Sequence, residues 1–385
     1  MLRRWVLSIL TLAVLWAALF GLVVIWRPPT LVATEGWASD LLLRLTDPVS
    51  TRTVIVGIDE EDLKELGQWP WSRDLSAKIV DRLIEGGASA VGLLVTYAEP
   101  DRLATPQNDT DGALVRALAN RPTVVLTLRS LKGVREAPVA SRLAVATSKT
   151  TNPEATLYPA LPRVPNLPAI EQVTMVAPAF SYPDPDEVVR RVPAFLSMAE
   201  QAWPSMATAL VARAKGCTTP GLTMWKSFGG AMAFCDDKFL RLGLLGTITL
   251  ARPEGGRPVL SAAKVLAGEV PAEIRGRPVL FGALAVGLSD PVPVRDARIM
   301  PVELHARAVD TLLAERSIQS EQLNSLYAMI GVALLCLVRR NLLIFGVMVA
   351  AIIGTACYFA TQDLLIEPVG MLIALLGAYL MPRWR

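Results

Sequence analysis

The chain has 385 residues, 52% of them hydrophobic and 19% charged, and its mean hydropathy of +0.41 is too apolar for an ordinary soluble protein of this size. A net charge of +3 at pH 7 gives no basic footprint for nucleic acid, so nucleic acid is not an expected partner. One histidine and four scattered cysteines do not readily assemble a zinc site or a His-based catalytic apparatus, so we expect no enzyme, catalytic residue, metal or cofactor.

The apolar surplus lies in long blocks at the two ends of the chain. Trp5 to Trp26 is a run of 22 residues without a charge, and its helical length of about 33 Å exceeds the roughly 30 Å of a hydrocarbon core. A cleavable signal peptide is the alternative, because two arginines precede the run, but the run is longer than the apolar core of a usual signal peptide and no Ala-x-Ala site follows. Residues 1–26 are therefore predicted to form a transmembrane anchor.

Three further apolar blocks lie near the other end, separated by very short polar connections. They are Leu323–Val338, Leu342–Thr361 and Leu364–Met381. Lys and Arg collect on the cytoplasmic side of membranes, so the arginines at 3–4, at 339–340 and at 383 and 385 should all face inward. Four transmembrane helices then place residues 27–322 outside the cytoplasm, and residues 323–385 form three spans with a short cytoplasmic tail.

The middle region predicts an α/β domain. Val54–Ile58 is a β-branched run, apolar residues recur at helical spacing from Leu75 to Ile84, and Ala90–Tyr97 is another apolar run. Strand, helix and strand in this order form a βαβ unit, which predicts a mixed, partly parallel sheet with helices packed on it. The later elements expected are, in chain order, helix Asp111–Ala119, strand Thr123–Leu128, helix Ser205–Ala214, strand Gly246–Ala251, helix Ser261–Leu266, strand Pro278–Gly282 and helix Val302–Ala314.

Two stretches depart from this regular pattern. Residues 130–170 contain six prolines and few periodic apolar positions, which predicts a long loop or excursion. The strand-like runs Val173–Ser181 and Val188–Met198 flank the turn-rich stretch Tyr182–Glu187, which predicts a hairpin.

Charged side chains follow the predicted strands. Asp59 comes directly after the first strand, Glu99, Asp101 and Arg102 come after the second, and Asp290 follows a Gly-rich turn. Open α/β sheets bind ligands at the carboxyl ends of their strands, so these five residues are candidates for one polar ligand-binding mouth. The alternatives are a structural ion-pair cluster and, for Asp59 with the acids after it, a helix N-cap.

Several other motifs have structural explanations. Asn108–Gly112 lacks the closing Glu of a calcium loop and better predicts a helix N-cap, whereas His305 has no neighbouring His or Cys and is interpreted as a hydrogen-bonded core histidine. Trp69–Trp71 is more typical of a core cap at a turn than of a stacking platform. Cys217 and Cys235 flank a Gly-rich stretch of the extracytoplasmic region, where an oxidising compartment permits a disulfide.

A set of short motifs occurs in one order over residues 37 to 316. They are Asp40 and Arg44, Val54–Asp59, Gln68–Arg73, Gly86–Val91, Ala98–Arg102, Pro183–Asp186 with Val189–Pro193, Trp203–Ser205, Ser261–Gly268, Phe281–Ala283 with Gly287–Asp290, and Val302–Ala306. In this order they resemble the type-two CHASE domain, an extracytoplasmic sensor of bacterial membrane receptors. One span before the domain and three after it are also similar to that family.

The resemblance implies a multi-pass sensor of the bacterial inner membrane whose main domain is periplasmic. Members commonly continue into a cyclase or kinase domain, whereas this sequence ends at Arg385, so we expect a separate membrane or cytoplasmic effector of kinase, cyclase or anti-sigma type. A homodimer is compatible with this role. Leu94 stands where the family strand usually carries an Asp, and Pro301 replaces a Gly, so a ligand pocket that uses that Asp is called into question.

The expected relay element is the last helix of the domain, Val302–Ala314. It leads toward Leu323–Val338 through a connector that contains neither Gly nor Pro, which favours a semi-rigid connection. Two alternatives remain: an envelope structural or assembly protein whose domain binds another protein permanently, and a receptor remnant without a working partner.

Overall fold

A computed structural model describes residues 28–119, 121–130, 157–159, 163–198, 201–217, 220–225, 229–235, 238–321 and 342–380. The predicted spans Trp5–Trp26 and Leu323–Val338 lie outside these ranges. In the part of the chain that is described, no helix combines the length and the apolar character that crossing a membrane requires. The four transmembrane helices therefore remain a prediction from the sequence.

The described residues contain ten α-helices and twenty-one β-strands, most of them short. The helices are α1 (Pro29–Leu42), α2 (Glu60–Leu66), α3 (Arg73–Glu85), α4 (Thr110–Leu118), α5 (Pro168–Val173), α6 (Met206–Ala214), α7 (Ala262–Ala267), α8 (Pro301–Leu313), α9 (Leu342–Ala360) and α10 (Pro368–Leu380). The strands are β1 (Val49–Ser50), β2 (Val54–Ile58), β3 (Ala90–Leu93), β4 (Val124–Ser130), β5 (Tyr158–Pro159), β6 (Arg163–Val164), β7 (Met175–Pro178), β8 (Arg191–Pro193), β9 (Phe195–Met198), β10 (Gln201–Pro204), β11 (Gly221–Trp225), β12 (Gly229–Ala233), β13 (Phe239–Leu242), β14 (Thr247–Thr249), β15 (Pro253–Glu254), β16 (Val259–Ser261), β17 (Pro278–Ala283), β18 (Val292–Val294), β19 (Ala297–Ile299), β20 (Gln319–Glu321) and β21 (Leu364–Ile366).

The described chain divides into two compact units. The larger contains the described residues within Pro48–Tyr182 and Val189–Ser317, and the smaller contains the described residues within Met1–Asp47, Pro183–Val188 and Ile318–Arg385. Most of the predicted α/β domain, the candidate site residues and both paired cysteines belong to the larger unit.

A parallel sheet forms the centre of the larger unit. Its strand order is β16, β2, β17, β3, β4 and β7, all parallel, and the short β6 pairs antiparallel with the end of β4. The predicted partly parallel α/β fold is confirmed.

Side chains of the sheet alternate between two separate cores. One row of residues in register across five strands is buried in the first core: Val56, Phe281, Leu93, Leu126 and Val176. The row that precedes it by one residue, including Ile55 and Leu280, is buried in the second core on the opposite face. Because both faces are covered, the strands are continuous apolar runs instead of alternating ones.

Helices cover both faces of the sheet. On the first face α3, α4 and α7 bury apolar side chains, among them Ile79, Leu114 and Val265. On the other face α6 and α8 bury side chains such as Leu210 and Val309. Each of these fully buried aliphatic side chains stabilises the folded unit by about 1.5–3 kcal/mol, so the helical spacing read from the sequence corresponds to the faces that pack.

The predicted hairpin around Tyr182–Glu187 is wrong. The first run forms β7, which pairs in parallel with β4 at the sheet edge, whereas the second forms β8 and β9, which pair with β14 and β10. The turn itself is present, since Glu187 N donates to Asp184 O at 2.8 Å. A local turn therefore does not make its flanking runs pair when one of them, Met175–Pro178, is fully buried as a sheet strand.

The last predicted helix, Val302–Ala314, is present as α8 (Pro301–Leu313), and its end is well defined. The helix α8 ends in a Schellman motif, with Glu315 N bonded to Leu312 O at 3.0 Å and Arg316 N to Thr311 O at 3.1 Å. Glu315 occupies the left-handed position of this motif at a φ of 53°. Three residues later the chain forms β20, which pairs in parallel with β21 inside the smaller unit.

The smaller unit contains a buried carboxylate at a helix end. Glu35 of α1 is 5% exposed and accepts hydrogen bonds from Val369 N at 3.1 Å and from Gly370 N at 2.6 Å. These two N–H groups lie in the first turn of α10, where they have no acceptor within the helix. Glu35 therefore ties α1 to α10 within this unit.

Candidate functional site

Asp59 is a helix cap. Its Oδ1 accepts hydrogen bonds from Glu61 N at 2.8 Å and from Asp62 N at 2.9 Å, and Asp62 Oδ2 in return accepts from Asp59 N at 3.0 Å. This reciprocal pair is a capping box at the start of α2. The structural alternative for Asp59 therefore has direct support.

Asp62 has a second role that the sequence did not reveal. Its side chain is buried, and its Oδ1 accepts from Ser261 Oγ at 2.5 Å and from Ala263 N at 2.9 Å at the start of α7. One carboxylate thus caps the N-terminal ends of two helices that are 200 residues apart in sequence. Such a pairing has no local signal in the sequence, because its two partners are far apart in the chain.

A cleft of about 630 Å³ lies beyond the carboxyl end of β3. The loop that follows this strand, residues 94–103, forms one wall and is called the post-β3 loop below. The lining residues are Trp69, Pro70, Trp71, Arg73, Thr96, Ala98, Glu99, Pro100, Asp101, Arg102, Leu103 and Val164. The size of the cleft falls within the range of about 300–1,000 Å³ that is usual for small-molecule sites.

Three of the five predicted site residues line this cleft, namely Glu99, Asp101 and Arg102. Asp59 and Asp290 are not among the lining residues. Asp59 is separated because β17 lies between β2 and β3, so the strands that precede Asp59 and Glu99 are not neighbours as the sequence order suggested. The structure therefore shows a cleft lined by three of the five predicted residues, instead of one site formed by all five.

Asp101 organises the floor of the cleft. Its Oδ2 accepts hydrogen bonds from Thr110 Oγ1 at 2.6 Å, Arg73 N at 2.8 Å and Ser72 Oγ at 3.2 Å, and its Oδ1 accepts from Leu103 N at 2.9 Å. Burial alone would raise the pKa of Asp101, but these hydrogen bonds outweigh it and lower the pKa below its ordinary value. Asp101 is thus an ionised carboxylate that joins the start of α3 to the post-β3 loop and to α4.

Arg73 is the partly buried cation of the same floor. Its Nη2 donates to Glu99 O at 2.8 Å, and its Nε lies 3.4 Å from Asp111 Oδ1. The guanidinium also stacks over the Tyr97 ring at 4.6 Å. The sequence placed Arg73 in a family-like motif but did not identify it as a site residue, because its partners are 26 to 38 positions away.

Tyr97 and Asn166 hold the post-β3 loop from behind. Tyr97 N donates to Asn166 Oδ1 at 2.8 Å, and Asn166 Nδ2 donates to Thr127 O at 3.1 Å, next to the sheet. Burial raises the pKa of Tyr97 to about 12, even though Ser76 and Arg73 oppose this shift. Tyr97 and Asn166 therefore attach the buried side of the loop to the sheet.

Leu94 occupies the position where the family strand usually carries an Asp. Its backbone N donates to Phe281 O at 2.8 Å, and its side chain packs against the second core, away from the row that Leu93 joins in the first core. An apolar side chain in this place supplies neither charge nor hydrogen bond.

Two of the other motifs behave as the sequence predicted. Asp109 caps α4 by accepting from Gly112 N at 2.9 Å, in agreement with the N-cap reading of that stretch. His305 is 4% exposed and donates to the Ala179 carbonyl, and burial lowers its pKa to about 4. Within the described residues, no group of three or more His, Cys, Asp or Glu side chains is arranged to hold a metal.

The predicted disulfide between Cys217 and Cys235 is confirmed, with the two Cα atoms 5.5 Å apart. It lies beside the point where the chain leaves the larger unit. There Glu315 pairs with Lys215 at 2.7 Å and with Lys238 at 3.1 Å. Hydrogen bonds from Lys215 and then Lys238 lower the pKa of Glu315. The two lysines near the disulfide thus fix Glu315, which lies just before the chain leaves the larger unit.

Comparison with models of protein families matches residues 12–349 to the CHASE2 domain. Neither a curated protein nor a solved structure matches the chain. The match covers most of the 385 residues and includes every residue that lines the cleft.

Proposed function

Because the chain belongs to the CHASE2 domain family, a family of sensory domains, we propose that it is an integral membrane sensor of a bacterial inner membrane. In this proposal the α/β unit lies outside the cytoplasm and detects a ligand or condition. The apolar ends of the chain anchor it, and a separate effector of kinase, cyclase or anti-sigma type reads its state. The protein itself carries out no catalysis.

The observation that supports this role best, beside the family, is the cleft after β3. Its floor is a preformed network of Arg73, Asp101 and Asp111, and its position at the carboxyl end of a parallel strand is where open α/β sheets bind ligands. A ligand in this cleft contacts both the post-β3 loop and the start of α3. A ligand that binds more tightly to one arrangement of these two elements than to another shifts the protein toward that arrangement, which any sensor requires.

The experiment that tests the proposal is crosslinking of the full chain in native membranes, followed by affinity purification and mass spectrometry. We expect one enriched partner with a cytoplasmic kinase, cyclase or anti-sigma domain. Enrichment of envelope assembly proteins alone would favour the structural role, in which the domain binds another protein permanently. A chain that is captured without any partner would contradict both roles and favour the receptor remnant.

The proposed topology gives a separate prediction. Fusions of a reporter that is active only in the cytoplasm should be active after Arg385 and inactive near Gly255, because the arginine pairs are expected to stay inside. A periplasm-specific reporter at the same two positions should give the opposite pattern and serves as the control. Cytoplasmic activity near Gly255 would refute an extracytoplasmic sensor.

A further inference from the structure

The charges on the floor of the cleft are already compensated by each other. Asp101 accepts four hydrogen bonds from protein groups, and Asp101 N in turn donates to Asp111 Oδ2 at 2.9 Å. Arg73 is paired with Asp111 and with the Glu99 carbonyl. Because breaking this partly buried charge network costs several hydrogen bonds, a ligand does not use these groups as counter-ions. The network instead fixes the shape of the cleft.

Two lining charges differ from the floor. The side chains of Glu99 and Arg102 are exposed, and among the described residues neither has a hydrogen-bonded or ionic partner. They lie three positions apart on the post-β3 loop, whose backbone is held by Asp101 and by Asn166. Within the described part of the chain, the cleft therefore offers one unpaired carboxylate and one unpaired guanidinium on a positioned segment.

Apolar surface lies beside these two charges. Trp69 is partly buried, and its ring contacts Trp71 at 5.2 Å and Phe281 at 6.5 Å, both edge to face, so its position is fixed by packing. On the other wall Leu103 is 57% exposed. The lining thus combines a rigid aromatic side chain, an exposed aliphatic one and a pair of opposite charges.

From this combination we infer that the cleft binds a small zwitterion with an apolar side chain, that is, a free amino acid or a short peptide. The ammonium group pairs with the Glu99 carboxylate, the carboxylate pairs with the Arg102 guanidinium, and the apolar side chain lies against Trp69 and Leu103. A singly charged ligand satisfies one of the two free charges and leaves the other unused. The planar guanidinium can bind a carboxylate with two parallel hydrogen bonds, which adds directional preference.

This inference deepens the proposed sensor function and rests on it for its biological meaning, but its test is direct binding. The probe is L-phenylalanine, measured by calorimetry on the purified full chain. Two comparison compounds each lack one charge: 2-phenylethylamine lacks the carboxylate, and 3-phenylpropanoate lacks the amine. We expect L-phenylalanine to bind about tenfold more tightly than either, since charge-assisted hydrogen bonds contribute on that scale.

The variants assign each charge to its partner. Arg102→Gln should weaken L-phenylalanine about tenfold and abolish its advantage over 2-phenylethylamine, whereas Glu99→Gln should abolish its advantage over 3-phenylpropanoate. Both side chains are exposed and unpartnered within the described residues, so neither change should lower stability. Arg116→Gln and Asp290→Asn are matched controls at exposed positions outside the cleft and should leave binding unchanged.

Three results would overturn the inference: no binding of L-phenylalanine, equal binding of the three compounds, or loss of affinity in the controls as large as in the cleft variants. Each of these leaves the crosslinking experiment untouched, because partner capture does not depend on the class of ligand. Conversely, the expected ratios together with failure to capture a signalling partner would retain the zwitterion site and remove the proposed relay.

Discussion

Replacing Asp310 with asparagine is expected to lower the free energy of unfolding of the larger unit by about 3–5 kcal/mol. Asp310 on α8 is 2% exposed, and its Oδ2 lies 2.6 Å from Nη1 of Arg257, whose side chain is 7% exposed. Its Oδ1 accepts from the backbone N–H groups of Arg52 at 3.0 Å and Thr53 at 2.8 Å, and from the Thr53 hydroxyl at 2.7 Å. Asparagine keeps the shape but removes the charge, which leaves Arg257 buried without its counter-ion.

The measurement is equilibrium denaturation of the purified full chain, followed by tryptophan fluorescence. Asp290→Asn makes the same chemical change at an exposed position and should alter stability by less than about 0.5 kcal/mol. The double variant Asp310→Asn, Arg257→Gln removes the uncompensated cation as well, so we expect it to be more stable than Asp310→Asn alone. If both asparagine variants unfold at the same denaturant concentration, the buried pair does not stabilise the unit.

Asp310 also illustrates which features of this fold are readable from the sequence. The strands β2 and β17 and the helices α3 and α8 were predicted because their apolar residues follow the period of one element. The partners of Asp310 are 53 to 258 positions away, and no local pattern indicates that α8 packs over the start of β2. Periodicity defines elements and their buried faces, whereas the pairing of polar groups depends on the order of strands in space.

The order of strands also decided how much of the site was predicted. Glu99, Asp101 and Arg102 were correctly placed together because they follow one strand. Asp59 was grouped with them on the assumption that successive strands in sequence are neighbours, but β17 enters the sheet between β2 and β3 from a point almost 200 residues later. Sequential strands are adjacent only in about two-thirds of cases, so this assumption has a known failure rate.

The floor network escaped prediction for a different reason. Arg73, Thr110 and Asp111 each lie at the first turn of a helix, where polar residues are expected as ordinary helix-start signals. A capping pattern explained them locally and gave no reason to connect them. Only the packing of α3 against α4 shows that these helix starts converge on Asp101.

A second large effect is expected from pH. His305 is the only histidine of the chain, and burial lowers its pKa to about 4 in the folded state, compared with 6.5 for an unperturbed imidazole. Between these two values the unfolded chain binds a proton that the folded chain does not, so stability rises with pH in this window. The contribution is complete above about pH 6.5, falls as the pH decreases to about 4, and amounts to about 3 kcal/mol.

The variant His305→Gln isolates this contribution, because the carboxylates that also titrate in acid are common to both proteins and cancel in the difference. Glutamine retains an N–H donor of similar reach for the Ala179 carbonyl but does not titrate. We expect the wild type to lose about 3 kcal/mol relative to His305→Gln between neutral pH and about pH 4, measured by denaturation at each pH. A difference that stays constant over this range would mean that the imidazole reaches water and protonates without unfolding its surroundings. The predicted loss requires instead that α8 and the segment at Ala179 stay packed around a neutral ring. The stability of the larger unit in acid therefore depends on α8, the last helix of that unit.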